Sequence, residues 1–362
     1  MLLAMLVLPL AQRAQQPRTF GGGIPSLTLQ LGKEVPIFNH TLSPGSVIGV
    51  LNHLWSVGGG HAEAPELDGV QVYRFYIDGE REASVEFPMR MAAGIVFDPV
   101  IADKRDIPPL PHGDRLLHPH PVGVNSSGIP VSAPTPWGTE WLGKGSDMEG
   151  YYNNFRVPFG RSLLVTVELP AWVKHSVGVW TIVRGEENVP LTLGGRALPP
   201  SARLRTHANA ALFVSDMGFT PLVNRTTGSG VVLGHTLGIE MARNPHINPL
   251  GFLEGCFHLI TPHAGVGASP QQQQYGVGAG FPGVVLSTGM EDYYDSSFYF
   301  HAGIFQNPVS GITHLCNYPL NAYDEPAHPP CPGNTSRWSG YRLHYQVGDR
   351  SQSDFACCSP PD

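Results

Sequence analysis

The sequence predicts an all-β protein, a tandem pair of β-jelly-roll sandwiches, and three observations lead there. Gly (43) and Pro (35) together exceed a fifth of the 362 residues, while charged residues make up only 14%. That is a composition of short strands and tight turns with little room for helix. Strand-like apolar runs closed by Gly, Pro, Asn or Asp recur in both halves, which favours sandwiches over a parallel α/β sheet. A chain of this length also exceeds the size at which one hydrophobic core usually stops growing, so two domains are expected.

Residues 1–14, MLLAMLVLPLAQRA, read as a signal peptide, a short apolar run ending in small residues, although no basic segment precedes it. The run is too short to span a membrane, and a frayed or buried N-terminal strand is the alternative reading. The first domain is assigned to residues 20–200. From Ser26 to about Val50, short runs broken by Pro and Gly read as strands and turns. Val70 to Pro88 reads as a hairpin around Asp78-Gly79, a dipeptide that readily supplies the positive φ of a tight turn. Asp103 to Gly145 is rich in Pro, Gly and His, lacks periodicity, and is expected to be a long loop. Order resumes at Gly150, with a strand over Leu163 to Glu168, and Gly194 to Ala208 is the candidate passage between domains.

The second domain is assigned to residues 201–362. Its strand-like runs are Gly230 to Met241, Gly251 to Ile260, Gly283 to Leu286, Ser297 to Phe305 and Ser339 to Tyr345. Between the second and third, PQQQQYGVGAGFPG reads as an exposed polar loop.

A formal net charge of −7 gives no basic footprint for a nucleic-acid partner. No transmembrane span is found. The five cysteines contain no C-x-x-C pair and no zinc-finger spacing, so neither a structural metal nor another cofactor is expected. Whether Cys316 and Cys331 bridge a loop stays open. Sequons at Asn39, Asn125, Asn224 and Asn334 join the N-terminal run in pointing to the secretory pathway.

The densest chemical signal is LSTGMEDYYDSSFYFHAGIFQNPVSGITH, Leu286 to His314, where Glu291 and Asp292 follow a turn-like STGM and precede Tyr293 and Tyr294. Carboxylates supply acid, base or nucleophile at sugar-processing sites, and aromatic faces hold the ring. A solvated turn explains the same residues. Glu254 interrupts an apolar run, FLEGC, and a carboxylate there is paired, solvated or used. Trp55 and Trp338 are candidate stacking faces, each also readable as core, while His301 and His314 are candidate polar contacts with no visible partner.

STGMEDYY is similar to the G-T-G-T-E-D-Y-F signature, and GFLEGC to the L-E-G-D-E strand, of glycoside-hydrolase family 172. That family includes α-D-fructofuranosidase (difructose dianhydride I synthase) and α-D-arabinofuranosidases. FYIDGEREASVEFP, YNNFRVPFGRSLLVTVE and YRLHY extend the resemblance from about Gly45 to Tyr345. It implies tandem jelly rolls and a retaining mechanism on α-furanosides, with Glu254 as nucleophile and Glu291 as general acid/base. It also implies a trimer-based homo-oligomer; the expected substrate is an oligo- or polysaccharide, and Asp292 and Tyr293 beside Glu291, with Trp55 and His301, are the expected sugar contacts from the residues themselves. The sequence departs from the pattern at Cys256 and Phe257, and ends soon after Tyr345 where relatives continue. The last strands of the second sandwich are therefore expected to be missing.

Overall fold

The computed structural model describes residues 16–58, 67, 69–97, 123–124, 130–131, 137–144, 150–193, 196–209, 221–223, 230–244, 248–255, 257–260, 284–287, 289–296, 300, 305–316, 331, 335–344 and 356–357. The first half carries β1 (Arg18–Leu29), β2 (Val35–Thr41), β3 (Gly49–Gly58), β4 (Val72–Ile77), β5 (Val85–Pro88) and a helical turn, α1 (Met89–Ala92). There follow β6 (Gly123–Val124), β7 (Pro130–Val131), β8 (Trp137–Gly138), β9 (Leu142–Lys144), β10 (Tyr151–Asn153) and β11 (Val157–Phe159). It closes with β12 (Ser162–Glu168), β13 (Val177–Glu187), β14 (Thr192–Leu193) and β15 (Arg196–Ala197). The second half carries β16 (Gly230–Val231), β17 (Gly234–Ala242), a 3-10 turn (Gly251–Glu254), β18 (His258–Ile260), β19 (Val284–Leu286) and a helical turn, α2 (Met290–Tyr293). It ends with β20 (Phe305–Gln306), β21 (Ser310–Cys316), β22 (Thr335–Leu343) and β23 (Ala356–Cys357).

The strand pairing of the first half is that of a jelly roll. One sheet runs β1-β13-β3-β10-β9-β8, with β11 also on β3, and the other runs β2-β12-β4-β5. First pairs with last and second with next to last, so the chain winds back on itself between two antiparallel sheets. Side chains alternate as a half-buried strand requires. On β4, Tyr73, Phe75 and Ile77 enter the core while Arg74 and Tyr76 face out, and on β12 Leu163, Val165 and Val167 enter opposite them. These meet Leu51, Leu54, Val179 and Val183 of the facing sheet, each buried side chain contributing about 1.5–3 kcal/mol.

The expected hairpin forms, and its turn has the anticipated backbone: Asp78 and Gly79 lie at φ 57° and 83°. Asp78 does more than turn the chain. Its Oδ1 accepts the amides of Gly160 (2.8 Å) and Arg161 (2.6 Å), and its Oδ2 accepts Arg203 Nη2 at 2.6 Å. Burial alone would raise its carboxyl; the Arg203 guanidinium and these amides outweigh that and hold it below the usual range. Arg203, with Thr206 on Glu86, straps residues 203–206 to the outside of the first sandwich. At the other end, Glu187 accepts His40 Nε2 (2.8 Å), the Ser43 amide (3.0 Å) and the Ser46 hydroxyl (2.5 Å). Its burial opposes ionisation, but these donors bring its carboxyl down to about 2.

Two expectations need correction. Asp103 to Gly145 is not loop throughout: β8 and β9 pair within it and extend the larger sheet, with Trp141 6% exposed in the core. One anchored aromatic and a turn suffice to hold an edge ladder too short to leave a period in sequence. Gly251 to Ile260 is not one strand, since its first four residues are a 3-10 turn.

In the second half a four-stranded sheet, β17-β22-β21-β20, is faced by α2, the 3-10 turn and Phe257 at the mouth of the β18–β19 ladder. The outer nesting repeats that of the first half, with β16 on β23 and β17 on β22. Trp338, 0% exposed, is the centre of this core, packed edge-on against Tyr294 at 4.7 Å and beside Phe300. The other face of the sheet docks on residues 91–97. Thr236 and Thr313 donate to the carbonyls of Met91 (3.0 Å) and Gly94 (2.8 Å), and Tyr341 and Leu343 join the first core. Gly238 is needed there, because a Cβ would lie 2.5 Å from Val96.

Cys316 at the end of β21 is disulfide-bonded to Cys331, with Cα atoms 5.1 Å apart. The bridge closes a short loop, so replacing both by Ser is expected to lower unfolding free energy by about 3 kcal/mol, read from urea denaturation. A change below about 0.5 kcal/mol would show that the loop gains nothing from closure.

Candidate functional site

The turns that carry Glu254 and Glu291 are brought side by side by a three-residue ladder. β18 and β19 pair antiparallel with His258 opposite Leu286, and Phe257 and Ser287 continue the ladder through amide-to-oxygen bonds of 2.7 and 3.0 Å. The turns that carry the two glutamates leave the same end of it, and α2 packs on the 3-10 turn.

The 3-10 turn forms because Leu250 and Leu253 stand three apart. In that geometry residues i and i+3 eclipse, so both leucines enter the core at 0% exposure. Asn248 starts the turn, its Oδ1 accepting the Leu250 amide at 2.8 Å. Glu254, one position on, is carried round to solvent.

On α2, Gly289 is extended and its amide donates to Asp292 Oδ1 at 2.7 Å, which closes the first turn. Glu291 sits inside that closure, 7% exposed. Its Oε2 lies 2.6 Å, and the Leu253 carbonyl oxygen 3.3 Å, from where a Cβ on Gly289 would stand. The buried carboxyl and a carbonyl of the turn that ends in Glu254 thus both crowd the space beside Gly289. The same crowding gives a test. Gly289→Ala keeps an allowed backbone but puts a methyl onto the carboxyl, and is expected to displace Glu291, read as a changed rate of carbodiimide labelling of Glu291 relative to exposed Glu254. Unchanged Glu291 labelling in a folded Gly289→Ala protein would show that the methyl is accommodated without moving the carboxyl.

Behind α2 lies a cluster that the sequence reading missed. The Tyr293 ring stacks on Phe257 at 4.0 Å and on His235 at 5.7 Å, and its hydroxyl shares a hydrogen bond with His344 Nε2 at 2.9 Å. The Tyr294 hydroxyl is 2.8 Å from His235 Nε2. Burial, then the Arg342 charge, pulls His235 down to about 4. Burial, then His235 and Arg342, pulls His344 down to about 3. Both imidazoles are thus neutral at pH 7. Burial likewise pushes both tyrosines up. Arg342 pairs with Asp295 and lies 5.8 Å from the Tyr293 ring centre. His235 and His344 are isolated from each other in sequence, and only the strand register of β17 and β22 brings them together.

Of the expected sugar contacts, Asp292 is exposed but holds the turn as a cap, and Tyr293 is core, 8% exposed, because a helical turn sends it inward where a strand would have sent it out. Trp55 lies on β3 opposite Ile182 and Tyr152, facing away from the first core and on a different sheet from the glutamates. Trp338 is core. His314 is buried, 3.3 Å from Cys316 Sγ and against Phe97, so it belongs to the docking face. His301 lies outside the described residues.

Among the described residues no group of His, Cys, Asp and Glu is arranged to hold a metal, and no helix is long and apolar enough to cross a membrane. No family model and no curated protein matches the chain. Among solved structures it is similar to the infectious bursal disease virus VP2 subviral particle, at 12% identity and a TM-score of 0.15. That match covers 52% of this chain and 47% of the other, less than half the latter's length.

Proposed function

We propose that the chain is a retaining glycoside hydrolase of α-furanosides in which Glu254 is the nucleophile and Glu291 the general acid/base. One observation carries the reading: two glutamates about forty residues apart in sequence sit on turns packed together at the mouth of one ladder, one sheltered and one open. A retaining site uses two carboxyl groups in different roles, one as nucleophile and the other as acid and then base. The open carboxylate attacks the anomeric carbon as the sheltered acid protonates the departing oxygen. The same group then takes a proton from the water that hydrolyses the glycosyl ester.

The test is to incubate the protein with p-nitrophenyl α-D-arabinofuranoside and with α-D-fructofuranosides, following the first-formed anomer by NMR. Release of sugar with retained configuration is expected; absence of release, or inversion, refutes the reading. A secretory location fits the Cys316–Cys331 bridge and the exposed Asn39 sequon on β2. Trimer-based assembly and oligo- or polysaccharide substrates are part of the same proposal. A second reading, a carbohydrate-binding or assembly module without turnover, is favoured by the burial of Tyr293 and the capping role of Asp292, which leave the site with few sugar contacts from its own motif.

A further inference from the structure

We propose that His344 and His235 are positioning residues for Glu291, acting through the hydroxyls of Tyr293 and Tyr294. The inference rests on the hydrolase reading for its catalytic consequence, though not for its structural content.

The helical turn that carries Glu291 spans only four residues, Met290 to Tyr293. So short a helix is not stable by itself, because the first hydrogen-bonded turn costs more conformational entropy than it returns. Its geometry must be set from outside. On the solvent side the Asp292 cap does this. On the core side the next two residues are each held twice, by ring packing and by a hydroxyl bonded to an imidazole. Tyr293 stacks on Phe257 and bonds His344, and Tyr294 packs edge-on to Trp338 and bonds His235.

Rings alone would permit sliding in the stacking plane. The two hydroxyl-to-imidazole bonds fix the depth at which each tyrosine sits, and through it the rotation of the turn about its axis. Glu291 lies two residues before Tyr293 on the same turn, and its carboxyl lies in a space so close that a Cβ at Gly289 would meet it. A small rotation of the turn therefore moves the carboxyl relative to Glu254. Among the described residues, the charged or titratable groups around the imidazoles are Tyr293, Tyr294, Arg342 and Asp295, and each imidazole also faces the other. Burial of both rings, and after it the nearby Arg342 charge, keeps the imidazoles neutral, so each ring nitrogen can accept from or donate to its tyrosine hydroxyl according to tautomer.

The experiment compares the parent full-length chain with Tyr293→Phe, His344→Leu and His344→Gln. Two readouts are taken: kcat and KM on p-nitrophenyl α-D-arabinofuranoside, and the rate at which a water-soluble carbodiimide with glycine methyl ester labels Glu291, measured by peptide mass spectrometry. Exposed Glu254 serves as the internal reference. Thermal melts select variants that remain folded. Tyr293→Phe keeps the ring stack and is the variant expected to fold even where His344→Leu does not.

In Tyr293→Phe and His344→Leu, Glu291 labelling is expected to rise at least fivefold relative to Glu254, with kcat falling about tenfold or more and KM changing less than twofold. His344→Gln, whose amide can meet the hydroxyl, is expected to return both to within about threefold of the parent. Labelling of Glu291 unchanged in folded Tyr293→Phe overturns the proposal, whatever the activity. A parent without furanosidase turnover but with the labelling change leaves the positioning role standing and removes the hydrolase reading.

Discussion

Glu254→Gln is expected to abolish turnover of aryl and alkyl α-furanosides alike, whereas Glu291→Gln is expected to spare the aryl substrate far more than the alkyl one. The difference follows from the roles. Without a carboxylate at 254 no glycosyl ester forms, and the quality of the leaving group cannot compensate. Without an acid at 291, a p-nitrophenolate still departs unaided, but an alkoxide needs its proton. General acid catalysis is worth about 10²–10⁴-fold, so that is the expected loss in kcat/KM for the alkyl furanoside. The measurement is kcat/KM on matched p-nitrophenyl and methyl α-D-arabinofuranosides for parent and both variants, with circular dichroism to confirm folding. Parent-like rates in either variant would remove that residue from the mechanism. The exchange of phenotypes, with Glu291→Gln losing both substrates equally, would reverse the assignment.

Acidification from pH 7 to pH 5 is expected to lower the unfolding free energy by about 4 kcal/mol, through the two buried imidazoles. An unfolded histidine titrates near 6.5, while His235 and His344 are pulled down to about 4 and about 3, by burial first. Over the intervening range the unfolded chain binds two protons that the folded chain refuses. Their neutral packing therefore contributes in full above pH 6.5, and the contribution is lost as pH falls toward 4 and then 3. Each proton gives a slope of about 1.4 kcal/mol per pH unit. Glu187 acts in a lower window. With its carboxyl depressed to about 2, its contribution is present above about 4.5 and lost as pH falls toward 2, so it does not blur the histidine range. Urea denaturation at pH 7, 6 and 5 checks the slope, and the His235→Gln, His344→Gln double variant should flatten it. A parent with equal stability at pH 7 and 5, or a double variant as steep as the parent, is incompatible with buried neutral imidazoles.

These two effects draw on different kinds of information. Asp78-Gly79 announces its turn because a positive φ at two successive residues restricts the choice of residue locally. The alternation of Tyr73, Phe75 and Ile77 likewise declares a half-buried strand. The helical turn at Met290 to Tyr293 gives no such sign, since four residues carry no period. Whether Tyr293 faces a cleft or a core depends on that turn. Leu250 and Leu253 do stand at a 3-10 spacing, but within an apolar run that reads equally well as strand.

The sequence alone determined the all-β class, the hairpin at Asp78-Gly79 and the strand over Leu163 to Glu168, because turn chemistry and alternation are local; the pairing of the two glutamates came only with the family resemblance. Only tertiary structure decided that β1 and β13 close a jelly roll, that Glu291 is sheltered while Glu254 is open, and that His235 and His344 meet behind them. Those outcomes depend on register between strands about a hundred residues or more apart, and contacts at that separation leave no pattern in neighbouring residues.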